Sequence, residues 1–432
     1  MAALPEWIAA NAAVGTKKHN QEIYMFRKAL LASAIAVTAI PVQAALFDVT
    51  LTSNISADQY SYSFNDAEDA IDVVDIDFIK AQWAGFGATD TAVADIKFRG
   101  VPIQLTYSND GETLILNSPA LGIHNKQFTS DPFGDDALDQ LKDYLVMVDE
   151  DGTEILTRLN KAAVENTGFD PVAGNPNSLM ATMVGTIHGL TNTSITGTNQ
   201  KDIDNQWDLG IRYGSQTVGD EEVTSLYLPL AYTFKLDAFP GHRLQFRMPI
   251  SHTQINSETN NYSLQLGFGW TIPLIEGLET TPAVDYGIAG SAELMTAGVL
   301  RALSLTTRYD FSFSGQNFTF TNSLAKIDSV RIEIEDEEDL YVIDYDLSNK
   351  AMTNGVAWHM PVPVSFLATQ VYLRDTRYYG DKLYSEKNNE LGVNFGWSAS
   401  EQTNTQFFVG LSYQRHDQSE FNGARLNAGL TF

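Results

Sequence analysis

The sequence contains no cysteine. That excludes disulfides and thiolate metal sites, whatever the redox compartment. Basic residues are also scarce: 27 Lys and Arg stand against 54 Asp and Glu, a formal net charge of -27. Nucleic acid is therefore not expected as a partner, because phosphate binding needs clustered Lys and Arg. Beyond residue 44 there is no run of 18 apolar residues, so no spanning helix is expected there. What remains is a water-soluble protein or a closed β-barrel, which satisfies every backbone group in lipid without helices.

The carboxy-terminal part is rich in alternation. In the final run Leu426, Ala428, Leu430 and Phe432 share one face, and Arg425, Asn427, Gly429 and Thr431 share the other. Strand side chains point to alternate sides, so such a run has one apolar and one polar face. Twelve alternating segments fill residues 206–432, centred near Leu209, Leu230, Phe246, Leu266, Val284, Leu305, Phe320, Ile343, Val371, Val393, Val409 and Leu430. Aromatics make up 11% of the chain, mostly Tyr and Phe, which suits interfacial girdles. Pro249 sits on the polar side of the third segment and weakens it. The expected fold is an all-β transmembrane protein, a 12-stranded antiparallel outer-membrane barrel preceded by a small mixed α+β region.

Charge placement sets the faces. An Arg or Lys against the bilayer midplane costs about 2–4 kcal/mol. Arg212, Arg247, Arg308 and Arg425 are therefore expected to point into the lumen. Asp208, Asp310, Asp344 and Glu390 share that inward parity and are candidates to pair with them across the pore. Connections after even segments are short and marked by Pro and Gly, as at Pro361-Val362-Pro363. Those after odd segments, 218–222, 251–261, 328–340 and 375–388, are more polar. That asymmetry fits short periplasmic turns and longer outer loops, with both barrel ends periplasmic.

Four stretches are expected: 1–44 upstream extension and signal, 45–167 α+β, 168–205 linker and helix, 206–432 barrel. Residues 25–44 carry Arg27 and Lys28, a twelve-residue apolar run and Val42-Gln43-Ala44, a secretory signal cleaved near Ala44. Met25 is a candidate start. Between residues 45 and 167, β-like runs occur at 47–52, 96–107 and 113–117, with a turn at Asn109-Asp110-Gly111. The acidic stretch 66–77 lacks the ligand spacing of a calcium loop and is read as a solvated surface. Leu138, Leu141 and Leu145, then Leu156, Leu159 and Ala163, recur at helical spacing. Core packing is the expectation for both helices, with entry into the lumen as the alternative. A Pro/Gly/Asn linker spans 169–178, and a helix capped by Asn177 or Ser178 is expected over 179–190, where it could plug the pore.

The strand number, the helix before the first strand and the ending Leu426-Asn427-Ala428-Gly429-Leu430-Thr431-Phe432 resemble the translocator barrels of autotransporters. The likeness is greatest to the solitary autotransporter-type barrels of Gram-negative bacteria. It implies an outer-membrane location, contact with lipid and lipopolysaccharide, a monomer, no cofactor, no metal and no catalytic residue. It also implies assembly by the barrel assembly machinery, with Leu430 and Phe432 as the signal. Asn427 stands where that family usually has glycine. The region before the linker is too short for a stalked passenger. A porin-like channel is the second reading. A hydrolase using His416, Asp417 and Asp375 near the outer rim is the third. The acids 335–339 are read as a solvated hairpin tip rather than a cation site.

Overall fold

The computed structural model describes residues 46–131, 135–146, 154–189, 205–218, 221–336, 339–360, 367–398, 406–417 and 422–432. The signal and its cleavage site, the turn at Pro361-Val362-Pro363 and part of the acidic run 335–339 lie outside these residues.

Residues 46–129 build one six-stranded antiparallel sheet. Its strands are β1 (Phe47–Ser53), β2 (Gln59–Phe64), β3 (Ala92–Phe98), β4 (Val101–Ser108), β5 (Thr113–Ser118) and β6 (Ile123–Thr129), in the order β2-β1-β3-β4-β5-β6. The apolar run 96–107 is thus a hairpin rather than one strand. Arg99 (φ 48°) and Gly100 (φ 80°) form its two-residue turn, the left-handed pair that suits the twist of a hairpin. Alternation puts Phe47, Val49, Leu51, Leu105, Tyr107, Leu114 and Leu116 on one buried face. Helices α1 (Ala67–Asp72), α2 (Ile76–Gln82), α3 (Ala137–Val146) and α4 (Ile155–Asn166) pack into the same core.

The acidic stretch 66–77 explains itself locally. Asp66 and Asp75 are N-caps, accepting from the Glu68 and Asp77 amides at 2.7 and 2.8 Å. Both expected helices of 135–164 pack as core, through Leu138, Leu141, Leu159 and Ala163.

The second sheet is a barrel. Its first strand is β7 (Gln206–Val218), followed by β8 (Glu221–Leu228 continuing as Leu230–Lys235) and β9 (Arg243–Arg247 continuing as Ile250–Ile255). Then come β10 (Thr259–Ile275), β11 (Leu278–Ser291), β12 (Thr296–Phe313) and β13 (Gln316–Ser329). A small hairpin, β14 (Ile332–Asp336) with β15 (Asp339–Ile343), precedes β16 (Ser348–Met360). The set ends with β17 (Leu367–Gly380), β18 (Lys387–Ser398), β19 (Gln406–His416) and β20 (Gly423–Thr431). The sheet has fourteen ladder segments, but two pairs of them are single strands broken at Pro229 and at Met248-Pro249, which leaves twelve strands. Proline has no amide hydrogen, yet its carbonyl keeps the ladder: Gly210 and Gln265 donate to Pro229 and Pro249 at 2.9 and 3.0 Å. The last strand pairs with the first, so no edge is left open. Trp207 and Phe432 close the seam with two backbone hydrogen bonds of 2.8 and 3.0 Å.

One expected strand is misplaced. Ile343 belongs to the β14–β15 hairpin above the barrel, and the eighth strand is β16, whose centre is near Asn354. Several polar stretches read as loops are ladder as well: β9 and β10 continue to a turn at 256–258. Polar residues can extend a strand above a membrane because water covers both faces there.

The outer surface carries the apolar side chains. Leu209, Ile211, Phe246, Leu264, Leu266, Phe268, Val284, Leu303, Leu305, Phe320, Leu324, Leu373, Leu391 and Leu411 are all exposed on the barrel wall. Trp207, Trp270, Trp358, Trp397 and Phe432 ring the end that holds both barrel termini, and Tyr213, Tyr286, Tyr379 and Tyr413 lie toward the other. An apolar belt between two aromatic girdles on a closed barrel is the surface of an outer-membrane protein. No helix among the described residues is long and apolar enough to cross a membrane. The strands do the crossing.

Candidate functional site: the barrel lumen and its mouth

Helix α5 (Leu179–Gly189) lies inside the barrel. It begins where expected, at Ser178, whose backbone carbonyl accepts from the Thr182 amide at 3.0 Å. Leu179, Met180, Met183, Val184 and Ile187 recur on one face and are buried. They pack against β10, β11, β12, β13 and β16. The wall there is cut back to fit. Ala289, Ala302, Ala325 and Ala351 line it beside Leu300 and Ile327. A Cβ on Gly287 would sit 2.6 Å from the Leu179 side chain, and one on Gly355 would sit 2.6 Å from His188. His188 Nδ1 is 3.2 Å from the Ser323 hydroxyl, and Thr306 donates to the Ile187 carbonyl at 3.3 Å.

The opposite face of α5 is small and polar: Ala181, Thr182, Gly185 and Thr186. It faces a space lined by Arg212, Tyr227, Arg374 and Arg425. Arg425 donates to the Pro176 carbonyl at 3.2 Å and to Asn177 at 3.1 Å, tying the last strand to the start of the helix. Arg212 lies over the Tyr227 ring, 5.4 Å from its centroid. Thr186 and Tyr227 share a hydrogen bond. Glu390 receives Arg374, Tyr372 at 2.9 Å and Gln414 at 3.1 Å. Below His188 and Gly189 a cavity of about 140 Å³ is bounded by Arg212, Tyr372, Arg374 and Glu390.

The remaining expected charges spread along the lumen. Arg247 pairs with Asp285 at 3.0 Å, and Gln265 donates to the same carboxylate at 2.8 Å. Arg308 pairs with Asp310 at 3.0 Å, which also accepts from Thr319 at 2.6 Å. Asp208 accepts from Gln206 at 2.7 Å and Thr431 at 2.8 Å at the terminal end. Each of these ion pairs joins residues of one strand or of spatial neighbours, rather than spanning the pore. Asp344 is a correction. It lies outside the barrel strands and closes a turn, accepting from Ser329 and Tyr345 at 2.7 Å and from Asp346 at 3.1 Å. Parity counted from Ile343 fails because that run never enters the wall. Arg243, Asp285 and Arg374 carry the same inward parity and pair with Glu279, Arg247 and Glu390. The clearer missed signal was inward alanine at 289, 302, 325 and 351, where a water-filled lumen would carry polar groups.

The mouth of the barrel is closed by the α+β region. Val218, Val223, Ile255 and Leu294, at strand ends and connections away from the termini, join its core. Asn65 donates to Glu258 at 2.6 Å, and the Ala67 amide to the Glu293 carbonyl at 2.8 Å. The strap 168–178 runs from α4 to α5 and is almost entirely buried. At its centre Asp170 is fully enclosed and paired with Arg99. The same carboxylate accepts from the Val172 and Ala173 amides at 2.8 and 3.2 Å and from Tyr345 at 3.2 Å. Tyr345 also bonds Thr296 of β12 at 2.6 Å. Cap, strap, connection and wall thus meet at one carboxylate. Burial pushes the Asp170 carboxyl above the usual range, against the pull of Arg99 and the two amides.

The hydrolase residues form a clasp. The Ser385 hydroxyl is 3.3 Å from His416 Nδ1 and donates to Asp417 at 3.0 Å, and Asp417 also accepts from the Glu386 amide at 3.1 Å. The Asp417 carboxylate thus accepts a hydroxyl and an amide and ties this loop to the strand end. Asp375 bonds Arg377 at 3.1 Å on the outer wall, away from His416. No group of three His, Cys, Asp or Glu that could hold a metal occurs among the described residues.

No protein-family model and no curated protein matches the chain. Solved structures similar to it include the β domain of the Bordetella autotransporter Brka, at 12% identity and TM-score 0.38, covering 53% of this chain and 99% of that one. The translocator domain of autotransporter NalP from Neisseria meningitidis matches at 9% identity and TM-score 0.41, over 59% and 95% of the two chains. The KdgM porin matches at 6% identity and TM-score 0.31, over 52% and 98%. Built of twelve antiparallel strands, the barrel resembles autotransporter translocator domains and also porin-type outer-membrane barrels.

Proposed function

We propose that this is an outer-membrane barrel of translocator type whose cargo is its own small α+β domain, retained as a cap over the outer mouth. The observation that carries the reading is the path of the chain. The cap sits at one end, the strap and α5 enter the lumen from that end, and β7 starts at the other end beside Phe432. With both barrel termini periplasmic, as outer-membrane barrels place them, residues 46–167 lie outside the cell. Leu430 and Phe432 end the strand that seals the barrel, which suits an assembly signal read by the barrel assembly machinery. The inward charges keep the wall hydrated while α5 fills it. Lipid and lipopolysaccharide surround a monomer.

A porin-like role is favoured only by the polar lumen face opposite α5. Planar-bilayer conductance separates the two readings. The full chain is expected to be silent, and a variant lacking 179–189 to conduct. A steady current through the full chain would refute the plugged translocator.

A further inference from the structure

The chain is strongly acidic, yet one part of its lipid-facing wall is basic. On β12, β13, β16, β17, β18 and β19 the outward parity carries Leu303, Leu324, Met352, Leu373, Leu391 and Leu411 in the belt. Beyond that belt, toward the cap, the same parity gives Arg301, Lys326, Lys350, Arg377, Lys387 and Arg415, all exposed. From Phe313 to Arg301 along β12 is about 30 Å of height, taking about 3.3 Å per residue and a tilt of about 40°. That height clears a belt of about 25 Å and reaches headgroup level. Tyr379 lies directly opposite Lys350, and Tyr413 stands two residues from Arg415, which marks the same level.

The rest of the rim is different. No Lys or Arg occurs in 213–226, 250–262 or 286–299, the corresponding parts of β7 to β11. Within the basic part, Asp328 meets Lys326 at 3.1 Å and Arg301 at 3.8 Å, and Asp375 meets Arg377. Lys350, Lys387 and Arg415 make no ion pair among the described residues. Register adds a second, independent observation. Lys326 stands directly opposite Lys350, and Arg377 directly opposite Lys387. Like charges in direct cross-strand pairs destabilise a sheet. Asp328 and Asp375 meet one member of each pair, Lys326 and Arg377, which leaves Lys350 and Lys387 to be met by an anion from outside the chain.

We infer that this face of β12, β13 and β16 to β19 binds the phosphates of the phosphorylated glycolipid of the outer leaflet, lipopolysaccharide. A free phosphate ion would meet the same cations, but the leaflet holds its phosphates at this height at high local concentration. The inference rests on the proposed reading for the orientation of the capped end.

The test uses the full chain in detergent micelles, so its outcome is independent of that orientation. Binding of lipopolysaccharide and the thermal unfolding temperature are measured for the wild type and for Lys326→Gln/Lys350→Gln/Arg377→Gln/Lys387→Gln. The wild type should bind and be stabilised, less so at high salt. The variant should bind on the order of a hundredfold more weakly, because each cation near an anionic surface adds a several-fold factor. Without the lipid the variant should unfold no earlier than the wild type, since two like-charge pairs are gone. Dephosphorylated lipopolysaccharide and inorganic phosphate should not stabilise either protein. Equal binding by both proteins, no binding by the wild type, or full stabilisation by inorganic phosphate alone would each overturn the inference.

Discussion

Arg99→Met removes the charge that balances Asp170 and leaves most of the side chain's apolar stem in place. Arg99 and Asp170 are 2% and 0% exposed, so water cannot take over the lost partner. Breaking a buried ion pair from one side typically costs about 3–5 kcal/mol. The cost falls on the strap, whose Leu179 and Met180 amides donate to Pro171 and Val172 at 2.9 Å, rather than on the barrel ladder. At about 1.4 kcal/mol per factor of ten, opening of the strap should become a hundredfold to a few thousandfold more frequent. Hydrogen exchange at Val172, Ala173, Leu179 and Met180 reads this directly, with β13 amides as an unchanged internal reference. The defect should depend on pH. The folded Asp170 carboxyl already sits above its unfolded value, and losing Arg99 raises it further. A raised folded pKa contributes stability that is present below the unfolded value, near 4, and is lost as pH rises through the folded one. The defect should therefore be smallest near pH 4 and grow toward neutrality. An exchange change under about tenfold at neutral pH, or a defect that shrinks as pH rises, would refute the Arg99–Asp170 cluster as the latch of the strap.

Two further outcomes follow from the packing and the titration of the cap. Gly355→Leu drives a side chain into the space of His188; overpacking of this kind costs about 1–3 kcal/mol, and channel recordings should show openings absent from the wild type. Tyr107 is buried with its hydroxyl on the Val74 carbonyl at 2.6 Å, and burial, reinforced by Asp75 and Asp136, holds its proton well above the ordinary value. The cap should thus lose stability as pH rises past about 10, and alkaline difference absorbance should show Tyr107 titrating only with unfolding.

The barrel was legible because its constraint is local and repeated. Each strand must alternate to keep charge from lipid, so Leu266 and Val393 announce their faces from sequence alone. The helix over 179–189 was legible from its cap and length, but its docking side was not. That depends on alanines and glycines contributed by four strands, and no single window shows them together. The cap was the least legible part. β6 (Ile123–Thr129) carries mostly polar residues, β2 (Gln59–Phe64) is half Gln and Ser, and β3 and β4 merge into one apolar run unless Arg99-Gly100 is read as a turn. The latch joins residues 99, 170, 296 and 345, a long-range meeting that only the fold creates.

The central claim is that the cap reached the outer end on its own chain and stays there. The absence of cysteine makes the test clean: single Asp95→Cys on the cap sheet and Glu276→Cys in the turn at the terminal end, each probed in intact cells with a membrane-impermeant maleimide. The account predicts labelling at position 95 in intact cells and at position 276 only after the outer membrane is permeabilised. Labelling at 276 with protection at 95 would contradict it.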